Sequence, residues 1–240
     1  MRLLLIRHGQ TPANVLGQLD TLVPGAPLTD LGERQAAALP AGLETRGVEL
    51  PERIVVSTLL RTQLTAAPLA AATGLTPDVL DGLKEIQAGD LELRSDPHSQ
   101  GLYNATTLAW GRGDLDTEMP GGESGRDFFA RFDDAILRST ASGEGVSRVA
   151  VVSHGAAIRV WVAQRAAGAV DHFAETHQLL NTGLAHLESL REPDERGRRW
   201  RLVSWVREPA GGAGLVDEAA DDPTGRDVAD PATAPEGSGA

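Results

Sequence analysis

The chain has no cysteine among its 240 residues. That removes disulfides, thiolate nucleophiles and zinc–cysteine sites, and it suits a reducing compartment. Aromatic residues are scarce at 4%, with a single tyrosine. No apolar run approaches the roughly 20 residues that span a bilayer, and Met1 leads straight into an apolar run with no charged-then-apolar leader. Basic residues are outnumbered, 22 against 34 acidic ones, for a net charge of −12. A field of that sign argues against nucleic acid or an anionic membrane as partner. The default expectation is a cytoplasmic protein, monomeric or homodimeric, acting on a small molecule. An anionic ligand would need a cationic pocket opposing the overall field.

What is present begins at the N-terminus. Leu3-Leu4-Leu5-Ile6 reads as a strand buried on both faces, and Arg7-His8-Gly9-Gln10-Thr11 follows it directly. Thr11-Pro12 reads as a helix cap with proline in the first turn. A second buried strand, Arg53-Ile54-Val55-Val56-Ser57, precedes a helix over 59–73 that carries Arg61 in its first turn and stops at Gly74. A third, Val149-Ala150-Val151-Val152, ends in Ser153-His154-Gly155 and leads into a helix over 156–167. Between these lie a helix over 31–46 that Pro40 bends or breaks, capped by Asp30, and a helix over 126–140 capped by Ser124. Residues 183–190 and 200–206 read as a terminal hairpin. The stretch 87–122 reads as a long excursion expected to cover the site. Strands alternating with helices predict a three-layer α/β/α sandwich with a mostly parallel central sheet.

Residues 209–240 differ in kind. They are rich in Ala, Gly, Pro and Asp, and seven acidic residues against Arg226 give −6, half of the net charge. They read as a disordered acidic tail following a domain over 1–208. Truncation after Glu208 is then expected to leave activity unchanged.

In an open α/β sheet, ligands bind beyond the C-terminal strand ends. Arg7, His8, Arg61 and His154 all fall at such ends. Two guanidiniums can grip a phosphate in bidentate fashion, and an imidazole nitrogen can attack its phosphorus. A second imidazole, protonated, can stabilise the equatorial oxygens. No metal is required, and His98, His172, His177 and His186 show no metal-ligand spacing.

These residues resemble the histidine phosphatase superfamily, the phosphoglycerate mutase-like branch 1. Besides Arg7-His8-Gly9-Gln10-Thr11, matching stretches occur in family order over about residues 1–190. They are Pro27-Leu28-Thr29 with Gly32 and Gln35-Ala36, Ser57-Thr58 with Arg61 and Thr65-Ala66, Leu83-Lys84-Glu85-Ile86 with Gly89 and Glu92, Pro120-Gly121-Gly122-Glu123-Ser124, and Ser153-His154-Gly155. The resemblance implies a phosphoglycerate mutase-like fold and a metal-independent phosphatase with no cofactor, working on a phosphomonoester through a phosphohistidine. It implies His8 as the nucleophile, Glu85 as general acid and base, and Arg7, Arg61, His154 and Asn14 as the phosphate pocket. Alternatives are a mutase-type phosphotransferase and a non-catalytic phospho-ligand binding protein. Two departures concern the substrate loops: residues 17–26 lack the usual family pattern, and Leu91 and Leu93 stand where many relatives have Trp and Gly.

Overall fold

The computed structural model describes residues 1–141, 145–217, 219, 220, 222 and 224. In chain order, β1 (Arg2–Arg7) is followed by α1 (Pro12–Val15), α2 (Asp30–Ala37), α3 (Leu39–Thr45), β2 (Arg53–Val56), α4 (Leu60–Thr73) and β3 (Asp78–Val79). Then come α5 (Pro97–Gly111), α6 (Gly125–Thr140), β4 (Arg148–Ser153), α7 (Gly155–Arg165), β5 (Ala166–Ala167), α8 (Phe173–Thr176), β6 (Leu184–Ser189) and β7 (Trp200–Val206). The strands form one sheet in the order β3-β2-β4-β1-β6-β7-β5. Only β6 runs against the others, pairing antiparallel with both β1 and β7.

β1 is central, and its apolar run divides between the two faces as strand alternation requires. Leu3 and Leu5 join the α5–α7 side, packed with Tyr103, Phe128, Phe132 and Trp161. Leu4 and Ile6 join the α3–α4 side, with Leu39, Leu43, Ala66 and Leu69. The result is the expected three-layer sandwich. Burying such a side chain contributes about 1.5–3 kcal/mol, so the strand that carries the Arg-His pair is also among the best anchored.

Local signals explain most boundaries. Thr11 caps α1 in a reciprocal box with Asn14, and Ser124 caps α6 in another with Asp127. Gly74 ends α4 in the left-handed conformation at φ 70°. The helix expected over 31–46 is broken into α2 and α3 at Ala38, two residues before Pro40. The cap of α2 is Thr29 rather than Asp30, because the Thr29 hydroxyl accepts the Gly32 N–H at 3.0 Å. α7 stops at Arg165, since Ala166–Ala167 pairs with the edge of β7.

A close approach fixes the turn after β1 against α2. A Cβ on Gly32 would lie 2.1 Å from the Gln10 carbonyl oxygen, and one on Gly9 would lie 2.7 Å from the Gly32 oxygen. Both obstructions are backbone, so neither can swing aside. Gly32→Ala is therefore expected to destabilise the chain by about 1–3 kcal/mol, as overpacking does. Chemical denaturation measures this, and an unchanged midpoint would contradict the contact.

Two expectations are corrected. The reading of 209–240 as a disordered tail fails for its described part. Ala210 is buried, its N–H bonds the Thr182 carbonyl at 3.0 Å, and Gln35 Nε2 donates to the Leu215 carbonyl at 2.8 Å. A Cβ on Gly42 would meet the Ala210 oxygen at 2.4 Å. This segment is anchored by backbone hydrogen bonds and small residues, which leave no apolar periodicity to read. Residues 225–240 lie outside the described residues. The second correction concerns 87–122, expected to cover the site: it forms α5 with supporting turns and contributes no residue to the lining of the pocket around His8, Arg61 and Glu85.

Candidate active site

Every candidate residue except Asn14 lies on, or just beyond, the C-terminal end of a parallel strand. Arg7 closes β1 and pairs in register with Ser153 of β4, while the His8 N–H bonds the Ser153 carbonyl at 3.0 Å. His154 follows β4 and precedes α7, and Arg61 lies in the first turn of α4 after β2. Glu85 comes from the segment after β3. Asn14 joins them from α1, inside its capping box. All six side chains are buried.

The His8 ring is held by a 2.7 Å bond from Nδ1 to the Gly9 carbonyl. A carbonyl can only accept, so the proton sits on Nδ1, leaving the lone pair on Nε2. Burial, with Arg61 and Arg7 beside it, holds the His8 pKa well below the ordinary imidazole value, so the ring stays neutral. The His154 ring lies 5.2 Å away, centroid to centroid. Its Nε2 is 2.8 Å from Ser57 Oγ. Burial first, then Arg61 and His8, also push its pKa well below the ordinary value. That direction favours the neutral ring over the protonated second histidine expected from sequence. The Ser57 hydroxyl can donate to Nε2, leaving a proton on Nδ1.

Arg61 donates from Nη2 to the Asp20 carbonyl at 2.9 Å, with Asp20 Oδ2 3.4 Å from Nη1. Arg7 donates from Nη1 to the Leu179 carbonyl at 2.7 Å and pairs through Nη2 with Asp222 at 2.6 Å. Arg7 Nε, Arg61 Nε and His154 Nδ1 are buried with no hydrogen-bond partner among the described residues. Buried donors are normally satisfied, so three such atoms beside two cations mark a place for an anionic acceptor.

Glu85 accepts the Ile86 and Ala157 N–H groups on Oε1, at 2.9 and 2.8 Å, and the Ala156 N–H on Oε2 at 3.2 Å. Two of those donors are the first turn of α7. Burial nevertheless dominates and raises its pKa above the usual carboxylate range, against the pull of these N–H groups and Arg61. A carboxyl held in that state can both give and take a proton.

Sequence reasoning passed over several supporting residues. Arg131 of α6 donates to the Gly82, Lys84 and Glu85 carbonyls, each at 2.9 Å, and forms a bidentate pair with Glu123 at 2.6 and 2.7 Å. The Gln87 N–H in turn bonds Glu123, and Tyr103 of α5 donates to the Ile86 carbonyl. The strand-to-Glu85 segment is therefore clamped from both sides. Glu92 accepts the Thr21 and Leu22 N–H groups and holds the loop carrying Asp20. Asn181 donates to the His8 carbonyl and to Asn14 Oδ1. Of these, Glu123 and Glu92 lie in stretches the sequence singled out. Leu93, where relatives favour glycine, adopts the left-handed conformation at φ 59° that glycine accepts without strain.

The model of the histidine phosphatase superfamily (branch 1) matches residues 3–207. The chain belongs to that superfamily. It is 33% identical over 225 residues to PE-PGRS family protein PE_PGRS11 of Mycobacterium tuberculosis (strain ATCC 25618 / H37Rv), with 88% of this chain aligned. The chain spans only 37% of that longer protein. It is 30% identical over 228 residues to "Probable phosphoglycerate mutase GpmB" of Enterobacter sp. (strain 638), covering 92% of this chain and 97% of that protein. Among solved structures, the mycobacterial glucosyl-3-phosphoglycerate phosphatase complexed with VO3 superposes with a TM-score of 0.69 at 29% identity, covering 86% of this chain and 99% of that one. This histidine phosphatase is accordingly an enzyme of the phosphatase class. Among its described residues no helix is long and apolar enough to cross a membrane, and no cluster of three histidine or carboxylate side chains is placed to hold a metal ion.

Proposed function

We propose that this histidine phosphatase hydrolyses a small phosphomonoester in two displacements at His8. In the first, the Nε2 lone pair attacks phosphorus, the ester P–O bond breaks, and the Glu85 carboxyl gives its proton to the departing oxygen. In the second, Glu85 takes a proton from water. The water oxygen attacks phosphorus, the P–N bond breaks, and His8 is regenerated. Arg7, Arg61 and Asn14 bind the non-bridging oxygens, and neutral His154 donates from Nδ1. The observation that carries the reading is the fixed His8 tautomer, its basic nitrogen free beside two buried guanidiniums. These side chains supply every role, so turnover is expected in EDTA. The proposed setting is the cytoplasm, and the net charge disfavours nucleic acid as substrate.

Hydrolysis is favoured over phosphoryl transfer between positions of one substrate. A mutase must retain a second anionic group, and the two arginines of the 87–122 stretch are engaged elsewhere: Arg94 pairs with Asp96 and Arg112 with Glu175. The pocket wall carries the Asp20 carboxylate instead. Esters of uncharged alcohols are therefore expected to be cleaved ahead of phosphoglycerates. Phosphate release from a panel of sugar phosphates, phosphoglycerates, nucleotides and an aryl phosphate tests this. A coupled assay with 2,3-bisphosphoglycerate showing isomerisation faster than phosphate release would overturn it.

A further inference from the structure

The residue that faces Arg7 belongs to the C-terminal segment, not to the strand ends that build the pocket. Asp222 Oδ2 lies 2.6 Å from Arg7 Nη2, both side chains being buried. The other Asp222 oxygen sits 3.5 Å from Asn14 Nδ2. Besides the Thr224 N–H and hydroxyl of its own turn, at 3.3 and 3.2 Å, its partners are an arginine and an amide assigned above to a phosphate. Thr224 follows with a 3.0 Å bond from the same Arg7 nitrogen to its hydroxyl, and its carbonyl accepts from Arg159 Nη1 at 3.0 Å. Further back, Asp217 accepts from Gln10 Nε2 at 2.8 Å. Asp222 and Thr224 line the pocket together with His8, Arg61 and Glu85, and the space left among them is about 20 Å³. That is room for about one water and not for a phosphate.

We propose that Asp222 is an intramolecular stand-in for the substrate phosphate, so that the C-terminal segment is an autoinhibitory plug competing for Arg7 and Asn14. This rests on the reading of the strand-end pocket as the phosphate site. Three features fit a plug better than a permanent wall. The contacts made by Asp217, Asp222 and Thr224 are ionic or hydrogen-bonded. The stretch 217–224 contains no aromatic or large aliphatic residue that would hold it by burial. The anchor lies upstream, where Ala210 and Leu215 tie the chain to β6's entry and α2, so withdrawing Asp222 and Thr224 leaves these anchoring bonds in place. With Asp222 in place, each pocket arginine is opposed by one carboxylate, Arg7 by Asp222 and Arg61 by Asp20. When Asp222 leaves, the pocket gains one positive charge, and an incoming phosphate is the anion that replaces it.

The expected effect follows from competition. An inhibitory segment that closes most molecules raises the apparent KM and phosphate Ki by the inverse of the open fraction. In the full-length chain, Asp222→Asn is expected to lower both the KM for p-nitrophenyl phosphate and the Ki for orthophosphate by about tenfold. The kcat at saturation should stay within about twofold, because the plug is out when substrate is bound. A measurement on the unaltered chain runs beside it: saturating orthovanadate should speed hydrogen–deuterium exchange in the peptide covering 213–224. Unchanged KM and Ki would overturn the proposal. So would slowed or unaltered exchange, or a lower kcat, which would make Asp222 part of the working site. If neither protein hydrolyses any ester or binds orthophosphate, the pocket reading falls as well. Hydrolysis with no effect of Asp222→Asn removes the plug alone.

Discussion

His8→Ala is expected to lower turnover of every phosphomonoester by about ten-thousandfold or more, the scale seen when a covalent nucleophile is removed. The fold should survive. The ring is held by one bond to the adjacent carbonyl and lines a pocket, while β1 is anchored by Leu3, Leu4, Leu5 and Ile6, each essentially buried. Residual binding is expected too, since Arg7, Arg61 and Asn14 remain. The check is a pair of measurements on one preparation: steady-state phosphate release, and orthovanadate or phosphate affinity by calorimetry. Activity lost with affinity kept supports His8 as nucleophile. Turnover that survives the substitution would mean the nucleophile is another group.

Glu85→Gln is expected to separate substrates by their leaving groups. For an alkyl phosphate, whose alkoxide must be protonated as it departs, kcat should fall by about a hundred- to ten-thousandfold, the usual range for a general acid. For p-nitrophenyl phosphate, whose phenolate leaves without help, the first displacement should be nearly unaffected. Water activation in the second displacement then becomes limiting. The pH profile carries a second signature. His8 must be neutral to attack, and its pKa is held well below the ordinary imidazole value. The acid limb of kcat/KM should therefore appear only below that range. Glu85 must be protonated to act as acid, and burial raises its pKa above the usual carboxylate value. The alkaline limb should follow its deprotonation and disappear in Glu85→Gln. An alkaline limb that persists, or an equal loss of kcat/KM for alkyl and aryl esters, would remove Glu85 from the acid role.

Much of this was legible in the sequence, for identifiable reasons. Short apolar runs ending in Arg7-His8 and Ser153-His154 announce buried strands, and a parallel sheet gathers such ends whatever the intervening chain does. Caps at Thr11 and Ser124 and the stop at Gly74 are local chemistry, readable within four residues. What escaped depends on contacts distant in sequence. Arg131 looks like one more charge on an amphipathic helix, yet it reaches three carbonyls around Glu85 and the carboxylate of Glu123. Asp20 looks like a loop residue, yet it meets Arg61. The protonation state of His154 depends on how completely it is buried beside two guanidiniums, which no local pattern encodes. The acidic C-terminal segment misled most, because composition was its only signal. A run of small and acidic residues that reads as solvated chain is also what can enter a narrow cationic pocket.

The central claim is that the phosphoryl group rests on His8 during turnover. It is tested most directly by rapid quench in alkali of the wild-type chain turning over an aryl phosphate, whose fast departure lets the second displacement limit the rate. Peptide mass spectrometry then locates the label. The account predicts an acid-labile, alkali-stable phosphoryl group on the peptide carrying His8, formed and consumed at rates matching turnover. Turnover with the label on another residue, or with no covalent phosphoenzyme at any time point, would contradict it.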